Sequence, residues 1–383
     1  MNRFRRPSPR GLAALLLSLA AAGSLALALV VGAFARSGAT PALDQAIQAA
    51  LAAPPPAGIT ARITVSDDLF DSSGLGPLSG IAGPLLSGAE GELWVGGDGR
   101  AKLDLQTGLG PIELFSDGTE LTVYDAAANT AWTLALPART ARTAPTVPSL
   151  AQIDAVLADL GRFAQISGPT PGTVAGQAAD TVTLAPSAGG GLLGSLALSF
   201  DAADGVPLQL AVDAKGSTTP VLELTVSSIS YAAVPLSDVE PALPSGVNVI
   251  TLTPPAPAGP SASGPGAVAK AVPFTLVAPA TLGGLPRSAV RSTGAGSTAG
   301  ALVIYGAGPG ALVLDERASS AAAGDGAGLL DLLPRVSIDG VSGHELVTAL
   351  GTIISFDRAG VSFTLLGSVD KADAEAAAQA LAS

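Results

Sequence analysis

The sequence lacks cysteine and contains only one histidine, two tryptophans and three tyrosines in 383 residues. Without cysteine the protein has no disulfide framework and no lipidated cysteine, so its hydrophobic core must hold the fold. The single histidine, His344, excludes metal sites built on two histidines, because Thr348 stands where a metalloprotease motif needs its second one. The scarcity of aromatic rings argues against surfaces that stack sugars or single-stranded nucleic acid.

Charge is also scarce, since charged residues make up 13% of the chain and acidic residues outnumber basic ones by 31 to 19. Phosphate binding depends on basic patches, so nucleic acid is not an expected partner. Hydrophobic residues make up 48% of the chain, which is enough for two domains with ordinary cores.

The N-terminus has the form of an export segment, with four arginines in the first ten residues ahead of an uncharged apolar run over 11–35. The run is long enough for a membrane-spanning helix, which needs roughly 20 residues. Ala33, Phe34 and Ala35 also provide the small-x-small site of a cleaved signal peptide. We therefore expect residues 1–35 to be a signal peptide or a membrane anchor. Both alternatives place the rest of an exported protein, anchored or secreted, on the outer side of the cytoplasmic membrane.

Between Ile59 and Leu252, short stretches of alternating apolar and polar residues are separated by Gly, Pro or Asp turns. This period of two predicts the strands of one large antiparallel sheet with one apolar face. Strands are predicted near 59–66, 90–96, 100–106, 111–116, 119–125, 130–136, 180–185, 195–201, 207–213, 221–231 and 247–252.

Two helices are predicted beside this sheet. The first covers about 41–53 and is stopped by three prolines. The second covers about 150–163, and its start is marked by Ser149 and Gln152, which have the spacing of a capping box. Its apolar stripe, which is expected to lie across the concave face of the sheet, consists of Leu150, Ile153, Val156, Leu157 and Leu160.

Residues 253–272 are rich in Pro, Gly, Ser and Ala and are predicted to be a linker without regular structure. The chain is therefore divided into an export segment at 1–35, a first domain at 36–252, the linker, and a small α+β domain at 273–383. The second domain is predicted to end in a helix over about 370–381. Its strands are predicted near 274–278, 300–305, 310–315, 334–338, 352–357 and 360–366.

Catalytic motifs are not recognised in the sequence. The glycine clusters near 294–300 and 306–310 lack the Lys-Ser/Thr of a nucleotide-binding loop, and no serine occupies a nucleophile elbow. We therefore expect no cofactor, no metal and no enzymatic activity, and interpret His344 as a structural or surface residue.

The segment 69–86 combines large apolar side chains with four glycines and two prolines. Exposed apolar patches mark binding or membrane contact, so one interpretation is a flexible apolar flap. The alternative is an ordered loop buried under the sheet. The flap candidates are Leu69, Phe70, Leu75, Leu78, Ile81, Leu85 and Leu86.

The order of these elements resembles the LolA-type lipoprotein carrier superfamily, including LppX-like and RseB-like half-barrel domains, over about 41–252. The resemblance rests on an N-terminal helix and on hairpin patterns rather than on catalytic signatures. The matching stretches are EGELW at 90–94, GRAKLDL at 99–105, SDGTELTVYD at 116–125, AWTLALP at 131–137, VAGQAADTVTLAP at 174–186, FD at 200–201 and VPL at 206–208.

The resemblance implies a strongly curved antiparallel β half-barrel with a helical lid, whose apolar concave face holds acyl chains of a lipid or lipoprotein. For each candidate a plain core position is the alternative to a cavity position. The cavity candidates are Ile63, Val65, Leu93, Val95, Leu103, Leu105, Leu121, Val123, Trp132, Leu134, Leu136, Ile153, Leu157 and Leu160.

The second domain departs from a simple carrier. ISFDRAGVSFTLLGS at 354–368, followed by an alanine-rich helix, resembles small extracytoplasmic domains of bacterial membrane-linked regulators. Two functions in the bacterial envelope are therefore expected as alternatives. One is a lipid or lipoprotein carrier, and the other is an RseB-like sensor or regulator that binds a membrane-protein partner.

Overall fold

The computed structural model describes residues 43–51, 53–70, 88–107, 110–136, 149–187, 191–241, 243–252, 262–294, 296, 299–319 and 333–383. Within these residues the predicted fold class is confirmed: the chain is α+β, mostly strands, with a strongly curled antiparallel half-barrel and a second sheet. No helix in the described ranges is long and apolar enough to cross a membrane. The predicted export segment at 1–35 lies outside the described residues.

The first sheet has twelve strands in the order β12-β6-β5-β4-β3-β2-β1-β11-β10-β9-β8-β7. Its strands are β1 (Gly58–Asp67), β2 (Ala89–Gly96), β3 (Ala101–Thr107), β4 (Gly110–Ser116), β5 (Glu120–Asp125), β6 (Thr130–Ala135), β7 (Ala164–Val174), β8 (Gln177–Pro186), β9 (Leu193–Asp201), β10 (Pro207–Ala214), β11 (Leu222–Ser230) and β12 (Asn248–Leu252).

Three helices accompany this sheet: α1 (Leu43–Leu51), α2 (Leu150–Leu160) and the short α3 (Leu236–Val239). Helix α2 begins as predicted, because the Ser149 side chain accepts the backbone N–H of Gln152 and the Gln152 side chain accepts the N–H of Ser149. Helix α3 lies in the crossover between β11 and β12 and contacts β2 and β3.

The expectation of a purely antiparallel sheet is wrong at one edge. Strand β12 pairs with β6 in parallel, with Ile250 opposite Trp132. The crossover from β11 causes this direction, because it carries the chain from the middle of the sheet to its edge instead of turning back in a hairpin. Strand β7, at the other edge, was not predicted. Pro169 and Pro171 interrupt its pattern, and an edge strand tolerates proline.

The second sheet has eight strands in the order β13-β14-β15-β16-β20-β19-β18-β17. The strands are β13 (Thr281–Leu282), β14 (Leu285–Thr293), β15 (Gly300–Tyr305), β16 (Leu312–Ala318), β17 (Arg335–Ile338), β18 (Val341–Thr348), β19 (Gly351–Arg358) and β20 (Val361–Gly367). One core cluster joins its inner side chains to helices α4 (Pro265–Ala271) and α5 (Lys371–Ala382).

Two expectations for this half of the chain are corrected. Residues 265–271, assigned to the linker, form helix α4, because Pro265 suits a first helical turn and Val268 is fully buried in the core. Residues 274–278 are not a strand, since the N–H of Val277 donates to the carboxylate of Glu316 rather than to a neighbouring strand.

Candidate binding face of the twelve-stranded sheet

Strand register places an unbroken row of apolar side chains on one face of the twelve-stranded sheet, which we call the inner face. The row takes one residue from each of seven adjacent strands, and each residue lies directly opposite the next. This apolar row consists of Ala61, Leu93, Leu103, Leu114, Val123, Trp132 and Ile250.

The inner face continues across the other strands. At the opposite end of the strands, a second row crosses β11, β10, β9, β8 and β7, again by direct register. This end row consists of Leu222, Val212, Leu196, Leu184 and Ile166. Helix α1 packs beside it, since Leu43 and Ile47 join the cluster around Val182 and Phe200.

The opposite, outer face is polar. Across β8 to β11 a ladder of hydrogen bonds links the Thr181 and Ser199 hydroxyls at 2.8 Å, then Ser199 to Gln209, and Gln209 to the Glu223 carboxylate. The Thr225 hydroxyl donates to the same carboxylate. These side chains satisfy one another and need no apolar cover, so the inner face is the chemically distinctive one.

Polar groups also dominate the outer face of the other half. Asp104 and Glu113 are paired in register, and Lys102 lies 3.0 Å from the Asp104 carboxylate. The Lys102 ammonium also lies over the rings of Trp94 and Phe115. The two tryptophans of the chain therefore lie on opposite faces, with Trp94 outside and Trp132 inside.

The apolar row is only partly covered. Ala61, Val123 and Trp132 are buried, whereas Leu93 and Leu103 are only half-buried. Leu114 and Ile250 are half-buried as well. A row of large aliphatic side chains that retain exposure on one continuous face is a surface suited to an apolar ligand.

Trp132 adds a polar group to this face. Its indole N–H is buried and has no hydrogen-bond partner among the described residues. A buried indole N–H ordinarily donates to an acceptor, and an unmade bond at such a group costs about 1–3 kcal/mol. This donor would suit a carbonyl or carboxylate oxygen of a ligand.

The structure places most predicted cavity residues on the inner face. Ile63, Leu93, Leu103 and Leu105 share one cluster around β1 to β3. Val123 and Trp132 form a second cluster with residues of β4 and β12. The remaining strand candidates are half-buried: Val65, Val95, Leu121, Leu134 and Leu136.

The helix candidates behave differently. Ile153 is buried and Leu157 is half-buried. The apolar stripe of helix α2, which was expected to lie across the sheet, is not fully covered, because Val156 is 60% exposed and Leu160 is 43% exposed. Helix α2 packs mainly against α1. This packing leaves part of the stripe of α2 on the surface.

Of the predicted flap, Leu69 and Phe70 are half-buried. Leu75, Leu78, Ile81, Leu85 and Leu86 lie outside the described residues.

Inner-face residues from the second half of the sheet were missed by sequence reasoning. Leu208 is fully buried, and Val226 and Phe200 are nearly so. The same two-residue alternation marks these strands, so the signal was present in the sequence. Leu114 and Ile112 were missed because Pro111 and Phe115 blur the alternation of β4.

His344 is half-buried, and its Nδ1 lies 2.9 Å from the carbonyl oxygen of Leu333. Among the described residues, no three metal-ligating side chains come together.

No family model matches the sequence, and no curated protein is significantly similar to it. The fold is similar to that of MucB in complex with MucA, at 13% identity and a TM-score of 0.41, over 84% of this chain and 91% of MucB. The MucA/MucB complex of Pseudomonas aeruginosa gives the same identity and coverage with a TM-score of 0.42.

A LolA superfamily protein from Nitrosomonas europaea is 7% identical, with a TM-score of 0.22, over 49% of this chain and 92% of its own. These structures come from the groups that the hairpin patterns resemble, MucB being RseB-like. At such identities and TM-scores they give no information on ligand or partner, which must come from the residues of the chain itself.

Proposed function

We propose that the protein is an extracytoplasmic carrier that binds lipid or lipoprotein acyl chains on the inner face of its twelve-stranded sheet. The apolar row, continuous over seven strands and partly exposed, is the observation that carries this proposal. The proposed extracytoplasmic location rests on the export segment predicted at 1–35.

The dimensions suit an acyl chain. Strands lie about 4.8 Å apart, so a row that crosses seven strands is roughly 29 Å long. The hydrocarbon core of a bilayer, which holds two chains end to end, is about 30 Å thick. One chain would therefore occupy about half of the row. Each methylene that leaves water contributes about 0.8 kcal/mol, so partial burial of one chain gives useful affinity.

The polar end of the ligand has a natural partner in the buried indole N–H of Trp132. A fatty acid or ester oxygen that accepts this hydrogen would satisfy a donor that otherwise lacks a partner among the described residues. The protein would act by binding and releasing its ligand, without covalent chemistry.

Two matched double variants test the proposal. Leu103→Gln/Leu114→Gln changes a registered pair on the inner face. Asp104→Asn/Glu113→Gln changes the adjacent registered pair on the outer face of the same strands. We expect the inner pair to weaken binding of a fluorescent palmitoyl probe at least tenfold, because each leucine contributes about 1.5–3 kcal/mol when fully covered.

The outer pair should bind the probe as the unchanged protein does. Far-UV circular dichroism of both variants verifies that the sheet is intact. Equal loss in the two variants, or no binding by the unchanged protein, would contradict the proposal. Native mass spectrometry of protein purified from a membrane-containing host provides an independent measurement, in which bound lipid is expected.

A second candidate is a regulator that senses the ligand and binds a membrane protein. The observation that favours it is contact between the sheets: the N–H of Ala349 in the second sheet donates to the carbonyl of Leu69, 2.8 Å away, at the start of the predicted flap. Occupancy of the inner face could reach the second sheet through this bond. A membrane protein that binds the full chain in equimolar amount and is released by the palmitoyl probe would support it. Retention regardless of probe would count against it.

A further inference from the structure

Helix α2 carries a line of apolar side chains that remain exposed. Val156 is 60% exposed, Leu160 43% and Phe163 45%. They are three of the eight large apolar side chains that are exposed among the described residues. Side chains four and then three positions apart lie on one side of a helix. The three therefore form a single line, which we call the exposed stripe.

The helical path continues far enough to include Phe163. Helix α2 ends at Leu160, but the N–H of Gly161 donates to the Leu157 carbonyl at 2.8 Å, and the N–H of Phe163 donates to the Leu160 carbonyl at 2.9 Å. The chain thus keeps turning in the same sense, and Phe163 extends the line begun by Val156 and Leu160. The Phe163 ring also lies against Gly308, between β15 and β16, without being covered by it.

The exposed stripe is distinct from the side of α2 that packs on protein. Ile153 is buried and Leu157 is half-buried where the helix meets α1. Charge near the stripe is small, because Asp159 and Arg162 form a surface pair at 3.4 Å. Asp154, the other charged residue of α2, lies about 160° around the helix from Val156. A partner of this stripe must therefore be bound by apolar contact rather than by charge.

The length of the N-terminal chain indicates what this partner is. The apolar run at 11–35 is long enough to be a membrane anchor, and helix α1 begins at Leu43. The residues between them, 36–42, can span at most about 25 Å. Helix α1 packs against α2, which is only about 17 Å long. An anchor at 1–35 would therefore keep the exposed stripe within reach of the bilayer surface.

A tether also makes so small a stripe sufficient. Three partly covered side chains would hold a free protein on a membrane only weakly, since the gain follows the apolar area that leaves water. A short linker raises the effective concentration to the millimolar range, at which weak contacts are populated. Leucine and phenylalanine are also typical of helices that lie in the boundary between headgroups and acyl chains.

We infer that residues 1–35 are retained as a membrane anchor and that the exposed stripe of α2 lies in the headgroup region of the same membrane. This contact goes beyond the proposed function and does not depend on it. It would orient the protein with α2 toward the bilayer.

The absence of cysteine provides a direct test, because Val156→Cys introduces a unique thiol for an NBD fluorophore. The full chain is extracted from host membranes, and its intact mass shows whether residues 1–35 are present. It is then reconstituted in nanodiscs of dioleoylphosphatidylcholine, with or without a nitroxide on the acyl chain close to the headgroup. We expect the nitroxide to reduce NBD emission at Val156→Cys at least threefold.

Ala158→Cys is the matched control, since it is exposed on the same helix about 160° around from Val156. Its label should lose little emission. Leu160→Gln/Phe163→Gln changes the rest of the stripe at exposed positions and should restore the emission of the Val156→Cys label. Leu103→Gln/Leu114→Gln, on the inner face, should leave the quenching unchanged, which distinguishes the membrane from a lipid bound to the sheet.

Equal quenching at Val156→Cys and Ala158→Cys, or quenching at neither, would overturn the inference. A blue-shifted but unquenched label at Val156→Cys would also overturn it, because protein rather than lipid would then cover the stripe. The same holds for an intact mass that lacks residues 1–35, and for quenching that disappears with Leu103→Gln/Leu114→Gln. The first three results leave the proposed function standing, since binding of the palmitoyl probe on the inner face is measured separately.

Discussion

Glu316 is the residue whose ionisation should control the stability of the second sheet. Its side chain is fully buried on β16, between Ala301 and Phe363 in the neighbouring strands. One carboxylate oxygen accepts the N–H of Val277 at 2.8 Å, and the other has no partner among the described residues. Burial is the main cause that raises the pKa of Glu316 from 4.5 to about 7, against the opposing effect of the Val277 N–H.

The charged groups around Glu316 do not offset this burial. Asp315, next to it in sequence, raises its pKa further. The hydroxyl of Tyr305 is buried nearby without a partner in the described part of the chain, and burial together with Glu316 raises the pKa of Tyr305 to about 12. Arg287 acts on Tyr305 in the opposite direction.

The direction of the pH dependence follows from the raised pKa. The folded protein retains a proton that the unfolded chain releases near pH 4.5, so the free energy of unfolding should fall as the pH rises from about 4.5 to about 7. At about 1.4 kcal/mol per pH unit, the full loss is about 3 kcal/mol. Glu316→Gln keeps an oxygen for the Val277 N–H but cannot ionise, so its free energy of unfolding should lack this decrease.

Urea denaturation between pH 4.5 and 8, followed by near-UV circular dichroism, measures the effect. Asp315→Asn is the matched control, since it changes the adjacent carboxylate and should retain most of the pH-dependent decrease. The reasoning would be refuted if the unchanged protein and Glu316→Gln had parallel pH profiles of the free energy of unfolding. It would also be refuted if this free energy rose with pH in the unchanged protein but not in Glu316→Gln.

Three further substitutions test local features. Ser149→Ala removes the N-cap of helix α2 and should cost about 1 kcal/mol, seen as faster amide hydrogen exchange in α2 with the strands unchanged; protection equal to that of the unchanged protein would contradict it. Tyr231→Phe removes the hydroxyl that donates to buried Asp201 at 2.6 Å and should lower the free energy of unfolding by about 1.5–3 kcal/mol, whereas an effect below 0.5 kcal/mol would show that the bond contributes little. Leu208→Ala at a fully buried inner-face position should cost about 2–5 kcal/mol in urea denaturation, and a negligible cost would mean that the inner face is loosely packed there.

The elements that could be predicted are those whose sequence pattern matches their local surroundings. Ile63 and Leu103 alternate with polar neighbours because their strands bury one face, and Ser149 with Gln152 marks a helix start by local hydrogen bonding. Such signals depend on residues close in sequence, so they remain visible without knowledge of the fold.

The elements that were missed depend on distant contacts. In strand β18 the charged Glu345 lies on the buried side and the apolar Leu346 on the other, the reverse of the usual arrangement of polar and apolar residues. Lys371 of helix α5 pairs with the buried Glu345 carboxylate and stabilises this arrangement. The sequence around Val277 predicts a strand, but the segment is a loop. Its shape depends on the hydrogen bond from the Val277 N–H to Glu316, which lies 39 residues away and leaves no local signal. The parallel pairing of β12 likewise follows from a crossover that no local pattern encodes.

The extent of the candidate site was only partly predictable for the same reason. Alternation identifies which residues share a face within one strand, but the apolar row exists because register aligns seven strands. The exposure of Val156 and Leu160 follows from the packing of α2 against α1, which the pattern of α2 alone does not reveal.

The central claim, that acyl chains bind on the inner face, is tested most directly by the two tryptophans, which lie on opposite faces. Trp94→Phe leaves Trp132 as the only tryptophan, and Trp132→Phe leaves Trp94. A brominated fatty acid quenches tryptophan on contact. We predict that it quenches the Trp94→Phe protein in a saturable manner and leaves the Trp132→Phe protein unaffected. Quenching of Trp94 alone, or of neither tryptophan, would contradict the assignment of the inner face as the binding site.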